Sequence, residues 1–378
     1  MRTTWTTVRL LLLLTLPQAF HSSCSPDPNL AAPAGSELSL RFQNGFRAAQ
    51  AQGFNGVALV ARNGKILYLE ALGVRDADGA PLKTDSPFNL ASVSKPITAT
   101  AILMLAEQDR LSLDDKASQF LPEMAGWNPS ASNITIRQLL NHTSGLADYE
   151  DYADEFFEES NVDSSDAIEY FVDNRDIVRM FSELRPPQKF SPGSDYSYSN
   201  TGYLLLGSII EKASDQSYAD FLNQKLFRPL KMKKSSVCVG RKQPSDKARG
   251  FIVDAGNREP YDVEYLDGIY GDGNICASAE DLLKFDAALR AGKLLKSELA
   301  EEATRPATLN NGEELEYGYG WELGDDGLVF HTGSWTGFRT YFLRYDDGLT
   351  VIVLDNSSNE NLYDQVDSIL EDALESQE

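Results

Sequence analysis

Phe88-Asn-Leu-Ala-Ser92-Val-Ser-Lys95-Pro-Ile-Thr-Ala99 carries a serine and a lysine three residues apart, immediately before a proline. Proline has no amide hydrogen and is tolerated mainly in the first turn of a helix, where amide hydrogens lack carbonyl partners anyway. A helix therefore begins close to Ser92 and puts Lys95 one turn on, on the same face. The Ser92 hydroxyl then sits at the positive end of the helix dipole with an amine beside it. A neutral lysine can take the serine proton and a charged one stabilises an alkoxide, so either state helps the hydroxyl attack a carbonyl. The same residues also read as a helix cap followed by a surface lysine, and the decision rests on what stands around them.

Upstream, Gly56–Ala61 and Lys65–Ala71 are β-rich runs on either side of Asn63-Gly64, a dipeptide suited to the left-handed angles of a two-residue hairpin. Before them, Leu38, Leu40, Phe42, Phe46 and Ala49 recur at three- and four-residue spacings, predicting an amphipathic helix over about 37–51. Near the other end, Tyr317–Leu323, Leu328–Thr332, Arg339–Tyr345 and Leu349–Leu354 form a meander punctuated by Asp/Gly turns, followed by a helical pattern over Leu362–Leu374. The stretch between about Ser92 and Lys293 is mostly helical in pattern. These elements predict an α/β plus α fold, with one antiparallel sheet formed by both chain ends, flanking helices and an inserted mainly helical domain. The sheet subdomain is expected at 37–91 and 294–378, the helical one at 92–293. A cleft between them is the default place for a ligand.

Two further segments add chemistry. In Phe190-Ser-Pro-Gly-Ser-Asp-Tyr-Ser-Tyr198-Ser-Asn200, Pro192-Gly193 marks a turn, and the apolar run Tyr203–Ile210 predicts a buried helix with Tyr198 and Asn200 on the loop before it. A phenol near a lysine ammonium can have its pKa pulled down and act as a base, and Asn200 offers donor and acceptor to a substrate amide. At the end of a β-run, His331-Thr332-Gly333-Ser334 places a glycine where another backbone or a substrate can approach closely, with the next amide able to face an oxyanion. Taken singly, these also read as a turn with a packed Tyr and a capping Asn, and as an ordinary strand end.

Composition removes other classes. The chain has 378 residues and a net charge of −23, which repels phosphate backbones and argues against nucleic-acid partners. Three histidines and three cysteines without a C-x-x-C pair are too few for a zinc centre, so no metal or cofactor is expected. Cys238 and Cys276 read as small apolar fillers rather than nucleophiles; a disulfide between them is open to an exported protein but has no geometric support from sequence. Residues 1–23 pair Arg2 and Arg9 with the apolar run Leu10–Leu16 and Ser22-Ser23, predicting a secretory signal too short to span a bilayer. Residues 24–36 read as a flexible tether, with Cys24 a candidate for lipidation, giving an exported, periplasmic or membrane-anchored lipoprotein.

In order and spacing, Ser92-x-x-Lys95, Tyr198-x-Asn200 and His331-Thr332-Gly333 resemble the penicillin-recognising serine hydrolases, in particular the class C β-lactamase and D-alanyl-D-alanine carboxypeptidase branch, serine peptidase family S12. Leu139–Leu146, Pro192–Leu206 and Gly271–Leu282 resemble it too, so that the likeness spans about Leu38 to Ala373. The resemblance implies a β-lactamase/transpeptidase-like fold and an acyl-enzyme on Ser92, with Lys95 and Tyr198 sharing the proton traffic. Asn200 would hold the substrate's amide side chain, the Ser92 and Ser334 amides the oxyanion, and His331 and Thr332, beside Gly333, the substrate's carboxylate. The expected substrates are small molecules or peptides with a carbonyl acyl group, such as D-amino-acid peptides, esters or β-lactams. Carboxylesterase activity and a slow-turnover penicillin-binding sensor are the alternatives. His142 is expected to be structural.

One position departs from the β-lactamases of this branch, which usually carry lysine where this chain has His331. A histidine is charged only part of the time near neutrality, which weakens capture of a β-lactam carboxylate. From Asp148 to Asp176 there are twelve Asp/Glu against one Arg. That run is expected at the cleft mouth, disfavouring anionic substrates, or else to be a solvated insert.

Overall fold

A computed structural model of the chain describes residues 36–157, 168 and 170–374, so the signal and Cys24 readings fall outside the described residues. Helix α1 (Glu37–Ala51) starts at Ser36, whose hydroxyl accepts from the Ser39 amide, and its apolar face leads into the hairpin β1 (Gly56–Arg62) and β2 (Lys65–Leu72). Asn63 and Gly64 both have positive φ, 50° and 74°, as the turn between two right-twisted strands requires. The C-terminal strands are β3 (Glu322–Leu323), β4 (Val329–Trp335), β5 (Phe338–Arg344) and β6 (Leu349–Asp355), closed by helix α6 (Leu362–Leu374). They assemble with the first hairpin in the order β2-β1-β6-β5-β4-β3, all antiparallel, with Val57 opposite Leu354 at the seam between the two chain ends.

Both faces of this sheet are covered, which is why β1 and β6 read as continuous apolar runs rather than alternating ones. Successive side chains point to opposite faces. Ala58, Val60, Val351 and Val353 pack with Phe42 and Phe46 of α1 and Val366 of α6. Val57, Leu59, Ile352 and Leu354 face the helical part, against α2 (Lys95–Glu107) and α4 (Ala279–Arg290). The helical part also holds α3 (Asn200–Ser214) and the short α5 (Ser297–Ala303). No helix among the described residues is long and apolar enough to cross a membrane.

A smaller three-stranded sheet joins residues 88–89, 275–277 and 236–237. Its register sets Ser236 opposite Cys276 and so brings Cys238 alongside, with 5.8 Å between the two Cα atoms, inside the range a disulfide spans. The structure bonds Cys238 to Cys276, a pairing that the sequence leaves open; the meeting of two distant strand ends is a tertiary fact that local sequence does not carry. Closing a loop between residues 38 apart restricts the unfolded chain enough for about 3–4 kcal/mol. Reduction under native conditions is therefore expected to lower the urea midpoint markedly; an unchanged midpoint would mean the bond contributes nothing to stability.

Candidate active site

The small sheet launches the reactive turn. Leu90 donates its amide to the Ile275 carbonyl, and Asn89 bonds to Asn274 and caps the Ala91 amide at 2.9 Å. Ala91 is held at φ 48°, a left-handed conformation that an L-residue adopts only when its surroundings impose it. Thr340 of β5 supplies part of that restraint by donating to the Leu90 carbonyl at 2.7 Å. Residues 91–94 make one tight turn, and α2 begins at Lys95 with Pro96 in its first turn, as Pro96 requires.

Lys95 is fully buried and its Nζ has three acceptors: Ser92 Oγ at 2.9 Å, Asn200 Oδ1 at 2.8 Å and the Asp272 carbonyl at 3.0 Å. Two of these are carbonyl oxygens that can only accept, so they occupy two hydrogens in either charge state. The third position, a hydrogen on the ammonium and a lone pair on the amine, faces Ser92. Burial pushes the Lys95 ammonium down to about 8, with the carboxylates of Asp272, Glu150, Asp148 and Glu322 holding it from falling further. A neutral amine poised against a serine hydroxyl is thus accessible close to neutral pH.

Tyr198 also neighbours Ser92, which lowers its phenol, but burial outweighs this and pushes it well above 10. The expectation that Lys95 would lower it is corrected: Nζ lies 4.9 Å from the ring centroid, yet burial outweighs any lowering by that charge. At neutral pH this phenol can donate a proton and does not start as a phenolate. Its ring lies 4.3 Å from the imidazole of His142, whose Nδ1 accepts from the Ser199 amide at 3.1 Å. Tyr203 and Tyr317 complete the packing around that imidazole.

Asn200 is the first residue of α3, not a loop residue, and its groups are taken up by acids from the start of the acidic run. Asp148 Oδ2 accepts from the Asn200 amide at 2.7 Å, and Glu150 Oε1 accepts from Asn200 Nδ2 at 3.0 Å. Asp272 Oδ2 accepts from Tyr149 at 2.8 Å. Burial raises all three carboxyls, with neighbouring acids adding to it for Asp148 and Glu150, the latter to about 8. Farther along the run, Asp173 and Asp176 cap a helix and Asp154 accepts from Tyr265, while residues 158–167 and 169 lie outside the described residues. None of these acids stood out in sequence beyond the charge count; the partners that make them part of the site come from elsewhere in the chain.

Strand β4 forms the opposite wall. β3 pairs with it only at Val329 and Phe330, which leaves the edge of residues 331–335 without a strand partner among the described residues. Gly333 is required there. A Cβ at this position would stand 2.3 Å from Thr340 Oγ1, 2.6 Å from the Leu90 carbonyl and 3.1 Å from the Ser92 amide. Gly333→Ala must therefore displace the turn carrying Ser92, and a loss of at least about 100-fold in kcat is expected, the scale of one lost oxyanion donor. An alanine variant with parental kcat would show that Gly333 does not set the position of Ser92.

Thr332 is partly open and Ser334 exposed, but the His331 ring is buried. Its Nδ1 lies 2.6 Å from the Thr332 carbonyl and its Nε2 3.1 Å from the Tyr317 hydroxyl. The carbonyl can only accept, so Nδ1 carries the hydrogen and Tyr317 donates to Nε2. Burial, then Lys95, push this imidazole down to about 3. His331 is thus neutral and turned away from the cleft; of the pair expected to meet a carboxylate, only Thr332 remains in reach.

Comparisons with known proteins bear on the family and the fold. Residues 42–375 match the family described as Beta-lactamase. The chain is 39% identical to Penicillin-binding protein 4* of Bacillus subtilis (strain 168), over 82% of this chain and 70% of that protein. It is 29% identical to Esterase EstB of Burkholderia gladioli, over 91% of this chain and 96% of the esterase. Among solved structures, D-amino acid amidase from Ochrobactrum anthropi SV3, complexed with L-phenylalanine amide, superposes with a TM-score of 0.73 at 26% identity, covering 91% of this chain and all of the amidase. The chain belongs to the β-lactamase family, the penicillin-recognising serine hydrolases.

Proposed function

We propose that the protein hydrolyses amide or ester bonds through an acyl-enzyme on Ser92, preferring acyl groups that carry an ammonium beside the scissile carbonyl, as D-amino-acid amides do. The observation that carries the first half is Lys95 Nζ, 2.9 Å from Ser92 Oγ with its other hydrogens committed to Asn200 and Asp272. Neutral Lys95 takes the Ser92 proton as Oγ attacks the carbonyl, and the Ser92 and Ser334 amides receive the oxyanion. As the tetrahedral adduct collapses, the Tyr198 phenol gives its proton to the leaving amine or alkoxide and recovers one from Lys95. Water then repeats the attack on the ester of Ser92, releasing the carboxylic acid.

The preference rests on Glu150. In the β-lactam and acyl-peptide mode, Asn200 Nδ2 would donate to a substrate carbonyl, and here Glu150 takes one of its two hydrogens. A substrate carbonyl bonding the other hydrogen gains nothing from Glu150, whereas an ammonium beside it favours the ionised form of a carboxyl that burial otherwise holds protonated up to about 8. The likeness to a D-amino acid amidase supports the same class. Loss of one charge-assisted hydrogen bond costs about 1.5–3 kcal/mol, roughly 10- to 150-fold. Glu150→Gln is therefore expected to lower kcat/KM for D-phenylalanine p-nitroanilide by that factor while leaving p-nitrophenyl acetate within about threefold. If the N-acetylated anilide is cleaved as fast as the free amine by the parent enzyme, the ammonium preference is wrong.

Buried, neutral His331 supplies no charge for a β-lactam carboxylate, so β-lactam turnover is expected to be slow. Export belongs to the same proposal, supported by the leader pattern before Cys24 and by the Cys238–Cys276 bond, since disulfides persist in oxidising compartments. A mature N-terminus at Met1 in protein recovered from a bacterial host would contradict it.

A further inference from the structure

Farther along α2 than Lys95, a cavity of about 360 Å³ opens between α2, α4, α5 and the ends of β4 and β5. Neither Ser92, Lys95, Tyr198 nor Asn200 lines it. Its walls are largely apolar, with Leu103, Leu289, Ala300, Val329 and Trp321 among them, and its size lies within the range of small-molecule sites.

One group inside it lacks partners. Arg344 ends β5 and is 8% exposed; its Nε donates to Asp286 Oδ1 at 2.6 Å and its guanidinium lies 5.0 Å from the centre of the Trp321 ring. The two terminal nitrogens have no hydrogen-bond partner among the described residues. Asp286 is already shared: Arg290 Nε reaches both its oxygens, at 2.9 and 3.0 Å, and Thr350 donates to it at 2.6 Å. Two guanidiniums against one carboxylate leave a net positive charge. Each terminal nitrogen of Arg290 also donates once, to the Tyr345 and Leu349 carbonyls, whereas neither terminal nitrogen of Arg344 has a partner among the described residues. At the exposed mouth, Glu301 is tied to Arg305 at 2.8 Å and Asp346 adds a negative charge. The unpaired fork of this largely buried side chain, open to the cavity beneath an apolar vestibule, suits a planar oxyanion on an apolar body, because guanidinium pairs a carboxylate through two parallel hydrogen bonds.

We propose that this cavity is a second ligand site, taking a small amphipathic carboxylate whose head pairs with Arg344 and whose apolar body lies against Trp321, Leu103 and Val329. The Tyr319–Glu322 segment connects it to the reactive centre. A Cβ on Gly320 would stand 2.9 Å from both the Lys95 carbonyl and Ala99, and Glu322 reaches Thr332 at its far end. Occupancy thus bears on the segment that packs against the first turn of α2.

Isothermal titration of the full chain with octanoate, octylamine and octanol tests the site, before and after the reactive serine is blocked with a fluorophosphonate. Octanoate is expected to bind the blocked protein, and octylamine and octanol at least tenfold more weakly. Arg344→Met should weaken octanoate at least tenfold, with Asp286 still held by Arg290 and Thr350. Ala300→Phe, which fills the cavity without touching the charged cluster, should abolish the binding and keeps the test sound if the Arg344 variant does not fold. Octanoate binding that disappears on blocking the serine, that octylamine matches, or that Ala300→Phe leaves unchanged would overturn the proposal.

Discussion

Ser92→Ala is expected to abolish covalent labelling and to lower kcat by on the order of 10,000- to 1,000,000-fold, because removing a nucleophile leaves only what oxyanion stabilisation and binding contribute. The fold should be untouched. Lys95 loses one of its three acceptors, but Asn200 Oδ1 and the Asp272 carbonyl remain, and the turn is fixed by Asn89, Thr340 and Ile275 through backbone groups the substitution does not alter. An unchanged melting temperature with lost activity is therefore the expected pair of results, measured by calorimetry and nitrophenol release. Residual labelling at the parental rate would move the nucleophile elsewhere.

Lys95→Met keeps the length of the side chain and removes the proton acceptor, so acylation is expected to slow by about 100- to 10,000-fold, the usual contribution of acid–base catalysis. The pH profile separates this from a merely structural loss. The amine is active when neutral, and burial lowers Lys95 to about 8. For a neutral ester, kcat/KM should rise with pH below about 8 and level off above it, and that limb should vanish in the methionine variant. Lys95→Arg should not restore activity, since a guanidinium does not lose its proton in this range. Stability also falls here, because Asn200 Oδ1 and the Asp272 carbonyl are left without a donor at about 1–3 kcal/mol each. A parental pH limb in Lys95→Met would assign the titrating group to another residue, Glu150 being the other group near 8.

The parts of this protein that were legible in sequence are those set by local rules. Asn63-Gly64 marked its hairpin because the turn needs two positive φ values, and Pro96 marked the start of α2 because only a first turn tolerates it. Helices α1 and α6 followed from apolar spacing and lie at Glu37–Ala51 and Leu362–Leu374. Tertiary neighbours decided the rest. Tyr198 sits next to lysine, as read, yet its phenol is raised rather than lowered, since burial outweighs that neighbour. His331 occupies the strand position expected of a carboxylate-binding residue, yet Tyr317, fourteen residues earlier, turns it into a buried neutral acceptor. Asp148, Glu150 and Asp272 gained their place from contacts with Asn200, Tyr149 and Lys95, which no local pattern announces. The Cys238–Cys276 bond likewise depends on the register of two short strands.

Intact-mass spectrometry of the purified protein during turnover of p-nitrophenyl acetate tests the acyl-enzyme most directly. One acetyl group per chain, mapped to the peptide containing Ser92 and forming and decaying fast enough to carry the steady release of nitrophenol, is the predicted result. Nitrophenol release with no adduct, or an adduct on any residue other than Ser92, would contradict it.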